Sequence, residues 1–206
     1  MEAKSDLNRV IRSGWAGYLH DLKKPGYVHI YTAGISMKGP SGSGPGGYCA
    51  LLVAPNGRAM RHIVGSDHET TKRRMQSMAA IVGLEELHEC DPGEFCIISD
   101  SYYLAESMES RIGKWESRGW KTSNGKPVKD LDLWQHLNAL TKHHKIHWLW
   151  QGYLLGDPVL PGGLDDETYI VAARNLAVSV VPEVSRDPIL REAADEVTRS
   201  KSLNVQ

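Results

Sequence analysis

Apolar positions recur with two different spacings along the sequence, and the places where the spacing changes mark out the elements. Tyr27-Val28-His29-Ile30-Tyr31-Thr32-Ala33-Gly34 is β-prone throughout, opened by Pro25-Gly26 and closed by Gly34. It reads as a strand buried on both faces inside a mixed sheet. Ile35 to Gly47 is rich in glycine and reads as a flexible loop suited to backbone contacts with a ligand. Two alternating runs follow, Tyr48 to Ala54 and Arg58 to Gly65, joined by Pro55-Asn56-Gly57 as a hairpin. From Thr70 the spacing lengthens: Met75, Met78, Ala79, Val82, Leu84 and Leu87 predict a helix capped by Thr70 or Thr71 and stopped by Asp91-Pro92-Gly93. Phe95 to Ser99 is a short buried strand delivering Asp100 at its end, and a helix begins at Ser101-Tyr102-Tyr103-Leu104. Leu131 to His143 predicts a further helix and Lys145 to Trp150 a fifth strand. The Gly/Pro-rich loop 152–163 leads to a last helix, Asp166 to Val180, which Pro182 ends. The order is that of an α/β fold with a five-stranded mixed sheet flanked by helices.

Outside that pattern, residues 1–26 form a helical extension in which Leu7, Val10, Ile11, Trp15, Leu19 and Leu22 fall near helical spacing. Such a face either packs on the domain or docks a protein partner. Residues 182–206 form a polar C-terminal tail, with a short helix over Pro188 to Thr198 and a second place for a protein partner. The organisation expected is therefore 1–26, a domain over 27–181, and 182–206. No apolar run reaches 18 residues and the N-terminus lacks a signal-peptide pattern, so a soluble chain without a membrane partner is expected. Cys49, Cys90 and Cys96 form no CxxC pair and adjoin no His, which speaks against a disulfide framework or zinc site and for a reducing, cytoplasmic setting.

A net charge of −1 gives no global attraction to phosphate, so contact with nucleic acid must be local. The segment 111–129 offers such a patch through Arg111, Lys114, Trp115, Arg118, Trp120, Lys121, Lys126 and Lys129. Cationic side chains release counterions from phosphates, and an exposed Trp stacks on sugar or base. Trp115, Trp120 and Trp134 suit a core equally well. Thr70 and Thr71 at a helix start, with Arg73 and Arg74 beside them, suit a phosphate.

Five strings in order resemble the ribonuclease H type 1 family over about residues 27–181: Tyr31-Thr32-Ala33-Gly34 with Gly44-Pro45-Gly46-Gly47-Tyr48; Thr70 to Ile81; Ser99-Asp100-Ser101; Arg118 to Thr122 through Lys126 to Trp134; and Trp150 with Gly156-Asp157-Pro158. The resemblance implies an RNase H-like fold and an RNA/DNA hybrid as substrate, cut with two Mg²⁺ ions held about 4 Å apart by carboxylates. Of the acids that the family pattern requires, only Asp100 matches. Ala33 and Gln76 stand at two acid positions, and the fourth falls on Ile170 or its neighbour Tyr169. A loop histidine of the family maps near Leu154.

Unit charges about 4 Å apart at an effective dielectric near 20 interact by about 4 kcal/mol, and a divalent ion doubles that to about 8. Losing two or three carboxylates therefore weakens Mg²⁺ binding by several kcal/mol, and Asp100 is at most a lone metal ligand. No cofactor is expected unless Asp157, Asp165, Asp166 or Glu167 compensates and admits Mg²⁺. The expectation is a pseudoenzyme of the family: a catalytically inactive RNase H-like domain serving as a nucleic-acid-binding or protein-docking module. Its nucleic-acid residues would be Thr71, Arg73, Arg74, Lys114, Trp115, Arg118, Trp120, Lys121, Lys126 and Lys129, on a hybrid or a duplex. Lys72, Arg73 and Tyr102 stand where the resemblance implies Asn and Gln side chains that read the minor groove, which weakens recognition of the 2′-hydroxyl. The alternative is a hybrid-cleaving ribonuclease H, either silenced by engineered Ala33 and Gln76 or rescued by acids of 157–167.

Overall fold

The computed structural model describes residues 28–37, 42–54, 60–87, 90, 92–151 and 166–182. The expected N-terminal helix, the hairpin turn 55–57, the loop 152–163 with Leu154 and the loop acids, and the C-terminal tail lie outside these residues, as do the side chains of Asp166 and Glu167.

Five strands form one sheet: β1 (Val28–Ser36), β2 (Gly44–Val53), β3 (Met60–Thr70), β4 (Glu94–Ser99) and β5 (Lys145–Trp150), in the spatial order β3-β2-β1-β4-β5. β1, β2 and β3 pair antiparallel, whereas β1–β4 and β4–β5 are parallel. The sheet is mixed, as expected, with β1 at its centre. The helices are α1 (Lys72–Glu85), α2 (Tyr102–Glu106) and α3 (Ile112–Ser117) joined by a π-helical turn Ser107–Arg111, α4 (Leu131–Leu140) and α5 (Asp166–Ser179). Among the described residues no helix is long and apolar enough to cross a membrane.

Strand period two sorts the side chains into two cores. Val28 and Ile30 of β1, Ala50 and Leu52 of β2 and Phe95 and Ile97 of β4 pack on one face with Ala80, Ile81 and Leu84 of α1 and Trp134 and Leu137 of α4. The alternate residues Tyr31, Ala33, Cys49, Leu51, Cys96 and Ile98 face the other way and pack with Ile170, Ala173 and Ala177 of α5. With both faces covered, β1 is buried over seven successive residues, which is why it reads as an unbroken apolar run rather than an alternating one.

The expected glycine-rich loop is shorter than its composition implies. Gly44-Pro45-Gly46-Gly47 belongs to β2 and pairs with both neighbours, Gly47 opposite Ile35 on one side and Ser66 on the other. The glycines are there for space rather than flexibility. A Cβ on Gly47 would stand 2.1 Å from the Ala177 carbonyl oxygen of α5, and one on Gly46 would stand 2.6 Å from the Ile35 carbonyl oxygen. Gly34 is the same case against α1, where a Cβ would fall 2.2 Å from the Gln76 nitrogen. Glycine therefore lets both helices lie directly on the sheet.

Candidate functional site

The β1–β4 pairing ends with Thr32 opposite Ser99, so Ala33 and Asp100 are the next residues on two parallel neighbours. The Asp100 backbone N–H donates to the Thr32 carbonyl at 3.1 Å, which holds the strand end in place. Helix α1 is capped by Thr71, whose hydroxyl accepts from the Arg74 N–H. Its contact with Gly34 brings Gln76 down onto the same spot. The Gln76 amide donates from Nε2 to Asp100 Oδ1 at 2.9 Å, and Asp100 Oδ2 is buried without a hydrogen-bond partner among the described residues. Burial pushes the Asp100 carboxyl above the ordinary carboxylate range, against the Gln76 hydrogen bond, the charges of Lys72 and Arg174 and the Gly34 backbone N–H, which pull it down.

The four positions singled out in the sequence, Asp100, Gln76, Ala33 and Ile170, are thus joined by the fold in two groups. Asp100 and Gln76 form a hydrogen-bonded pair. Ala33 and Ile170, 0% and 4% exposed, share the apolar core beneath α5, where Tyr169 also lies with its ring centroid 5.1 Å from that of Tyr31. Among the described residues no three His, Cys, Asp or Glu side chains come together. Arg174 had no place in the sequence reading. It sits one helical turn beyond Ile170, donates to Gln151 Oε1 at 3.3 Å and contributes positive charge at Asp100. The i, i+4 spacing from Ile170 was the available signal for it.

The basic segment is a built protrusion. Gly119 and Trp120 both have positive φ, 63° and 62°, and turn the chain after α3 into a small hairpin tipped by Gly125. Lys121 bridges Pro127, and the Val128 N–H donates to the Trp120 carbonyl. Lys114, Arg118, Lys121, Lys126 and Lys129 are exposed on it. Two residues expected at a nucleic-acid surface are engaged elsewhere. Trp115 is buried, its ring edge-on to Trp134 at 5.2 Å, so it supports the protrusion from within rather than offering a face for stacking. Arg74 directs its guanidinium into Asp132 at 2.8 Å and Asp130 at 3.2 Å, tying α1 to the start of α4. The Asp132 hydrogen bond, the largest cause, holds Arg74 above its ordinary value, and Arg74 in turn holds the Asp132 carboxyl below the usual range. Trp120 is half-buried against the core, whereas Arg73 is exposed.

A family model described as RNase H matches residues 25–151. A ribonuclease H of Xanthomonas campestris pv. campestris (strain 8004) is 39% identical over 152 residues, which cover 74% of this chain and 93% of the relative. A ribonuclease H of Maricaulis maris (strain MCS10) is 41% identical over 131 residues, covering 64% and 84%. Among solved structures, the foamy viral protease-reverse transcriptase in complex with dsDNA superposes with a TM-score of 0.61 at 16% identity, over 77% of this chain and 96% of that one. LC9-RNase H1, a type 1 RNase H with the type 2 active-site motif, gives a TM-score of 0.54 at 23% identity, over 73% and 86%.

Proposed function

Because the chain belongs to the ribonuclease H family, we propose that it keeps the family's fold as a nucleic-acid-binding domain and has given up cleavage. The observation that carries this reading is the Gln76–Asp100 hydrogen bond. Two-metal hydrolysis needs several anionic oxygens around one spot, because Mg²⁺ takes hard oxygen ligands in near-octahedral geometry. The described residues offer one carboxylate. The group facing it is an amide whose N–H₂ donates, so a cation that took Asp100 Oδ1 would have to break that bond and would meet the amide's positive end. Ala33 and Ile170 add no donor atom and lie in an apolar core. This set does not fit a pair of Mg²⁺ ions.

Binding is supported by the exposed cations of the protrusion, Lys114, Arg118, Lys121, Lys126 and Lys129, which form no ion pair among the described residues and could release counterions from a phosphate backbone. The relatives named ribonuclease H favour a second reading, a hybrid-cleaving enzyme whose missing ligands come from the acids of 157–167. An end-labelled RNA/DNA hybrid incubated with the full chain in Mg²⁺ or Mn²⁺ separates the two. Retarded but intact hybrid is the expected result. Cleavage that disappears in an Asp100→Ala variant would establish the second reading.

A further inference from the structure

Just after Asp100, three elements converge on two adjacent tyrosines. Tyr102, the first residue of α2, is 47% exposed, and its ring stands edge-on to Trp150 of β5 at 5.4 Å. Tyr103 carries two guanidinium groups: Arg73 of α1 with Cζ 4.4 Å from the ring centroid, and Arg111 of the π-helical turn with Cζ 5.3 Å away. Arg111 is also paired with Glu106 at 2.5 Å. Arg73 has no carboxylate partner among the described residues, and the neighbouring Lys72 is exposed.

Glu106 already occupies the Arg111 guanidinium, whereas Arg73, held over the Tyr103 ring, keeps its N–H groups for phosphate oxygens. An exposed aromatic ring propped by another can take a flat partner on its open face. In a duplex the base faces are already stacked and out of reach, whereas an unpaired base can leave its neighbours and stack on protein. Resting on the nucleic-acid-binding reading, we propose that this strip binds single-stranded nucleic acid, with a base stacked on Tyr102 and an adjoining phosphate held by Arg73. The same contacts serve DNA or RNA, since neither stacking nor phosphate pairing depends on the sugar.

The test is fluorescence anisotropy of the full chain with labelled oligonucleotides of about 16 nucleotides, a length that covers a single-strand site. Single-stranded DNA, single-stranded RNA, RNA/DNA hybrid and duplex DNA are compared at low salt. At least one single strand should bind about fivefold or more tighter than the hybrid. Tyr102→Ala should weaken that strand about tenfold, the loss of one stacked base, while Tyr102→Phe retains binding. Arg73→Ala should lower the slope of log affinity against log salt by about one. Hybrid binding that equals or exceeds single-strand binding, or single-strand binding indifferent to Tyr102→Ala, overturns the inference while leaving the nucleic-acid reading intact. Failure of all four probes to bind at low salt overturns both.

Discussion

At the scale of single residues, the altered site turns on what one amide does to one carboxylate. Gln76 satisfies Asp100 Oδ1, yet among the described residues Oδ2 stays buried without a partner, and an unsatisfied buried oxygen is costlier when ionised than when protonated. Burial raises the Asp100 carboxyl above its ordinary value, so the folded chain holds that proton more tightly than the unfolded chain does. The sign follows from linkage: in the window from the ordinary carboxylate value up to the raised one, the folded state binds more protons, and stability falls as pH rises. Asp100→Asn keeps the shape and the acceptor for Gln76 while removing the charge. The variant should melt with the wild type below the window and above the wild type at neutral pH, in thermal unfolding followed by circular dichroism. A gap that closes as pH rises would contradict this assignment.

At the scale of elements, close approach at glycine decides where the site residues end up. Gly34 has no room for a Cβ beneath the backbone of Met75 and Gln76, and Gly47 has none beneath Ala177. Gly34→Ala should lift α1 from β1 and cost about 3 kcal/mol, as overpacking does, measured as a lower urea midpoint with unchanged slope. A variant as stable as wild type would show that the helix seat is not fixed there. The same glycines explain what was legible in the sequence. The unbroken apolar run of β1 and the helical spacing of α1 and α4 stood out, and so did the acid at the end of β4. The start of β2 did not, because Gly44-Pro45-Gly46-Gly47 has a loop's composition and only its packing against α5 makes it a strand. For Trp115 the sequence left stacking surface and core equally open, since its burial depends on Trp134, which lies nineteen positions on. Arg174 was missed because its relation to Asp100 exists only after α5 folds across the sheet.

At the scale of the whole molecule, the sheet separates two tasks. On one side, the start of α1 and the protrusion present cations whose charge is local in a chain of net charge −1. On the other, the core beneath α5 runs from Tyr31 through Ala33 to Ile170, Ala173 and Ala177, which puts hydrocarbon at the two positions that the proposed reading takes for lost acids. Asp100 lies at the border with a neutral partner, and among the described residues no second carboxylate joins it, so the proposed reading expects no pair of divalent cations to be held there. The most direct test is a titration of the full chain with Mn²⁺ near neutral pH, followed by electron paramagnetic resonance of the free ion. Asp100→Asn should give the same curve as the wild type, with no pair of ions bound tighter than about 1 mM, a dissociation constant worth only about 4 kcal/mol. Two tightly bound Mn²⁺ ions per chain, lost in Asp100→Asn, would contradict the account.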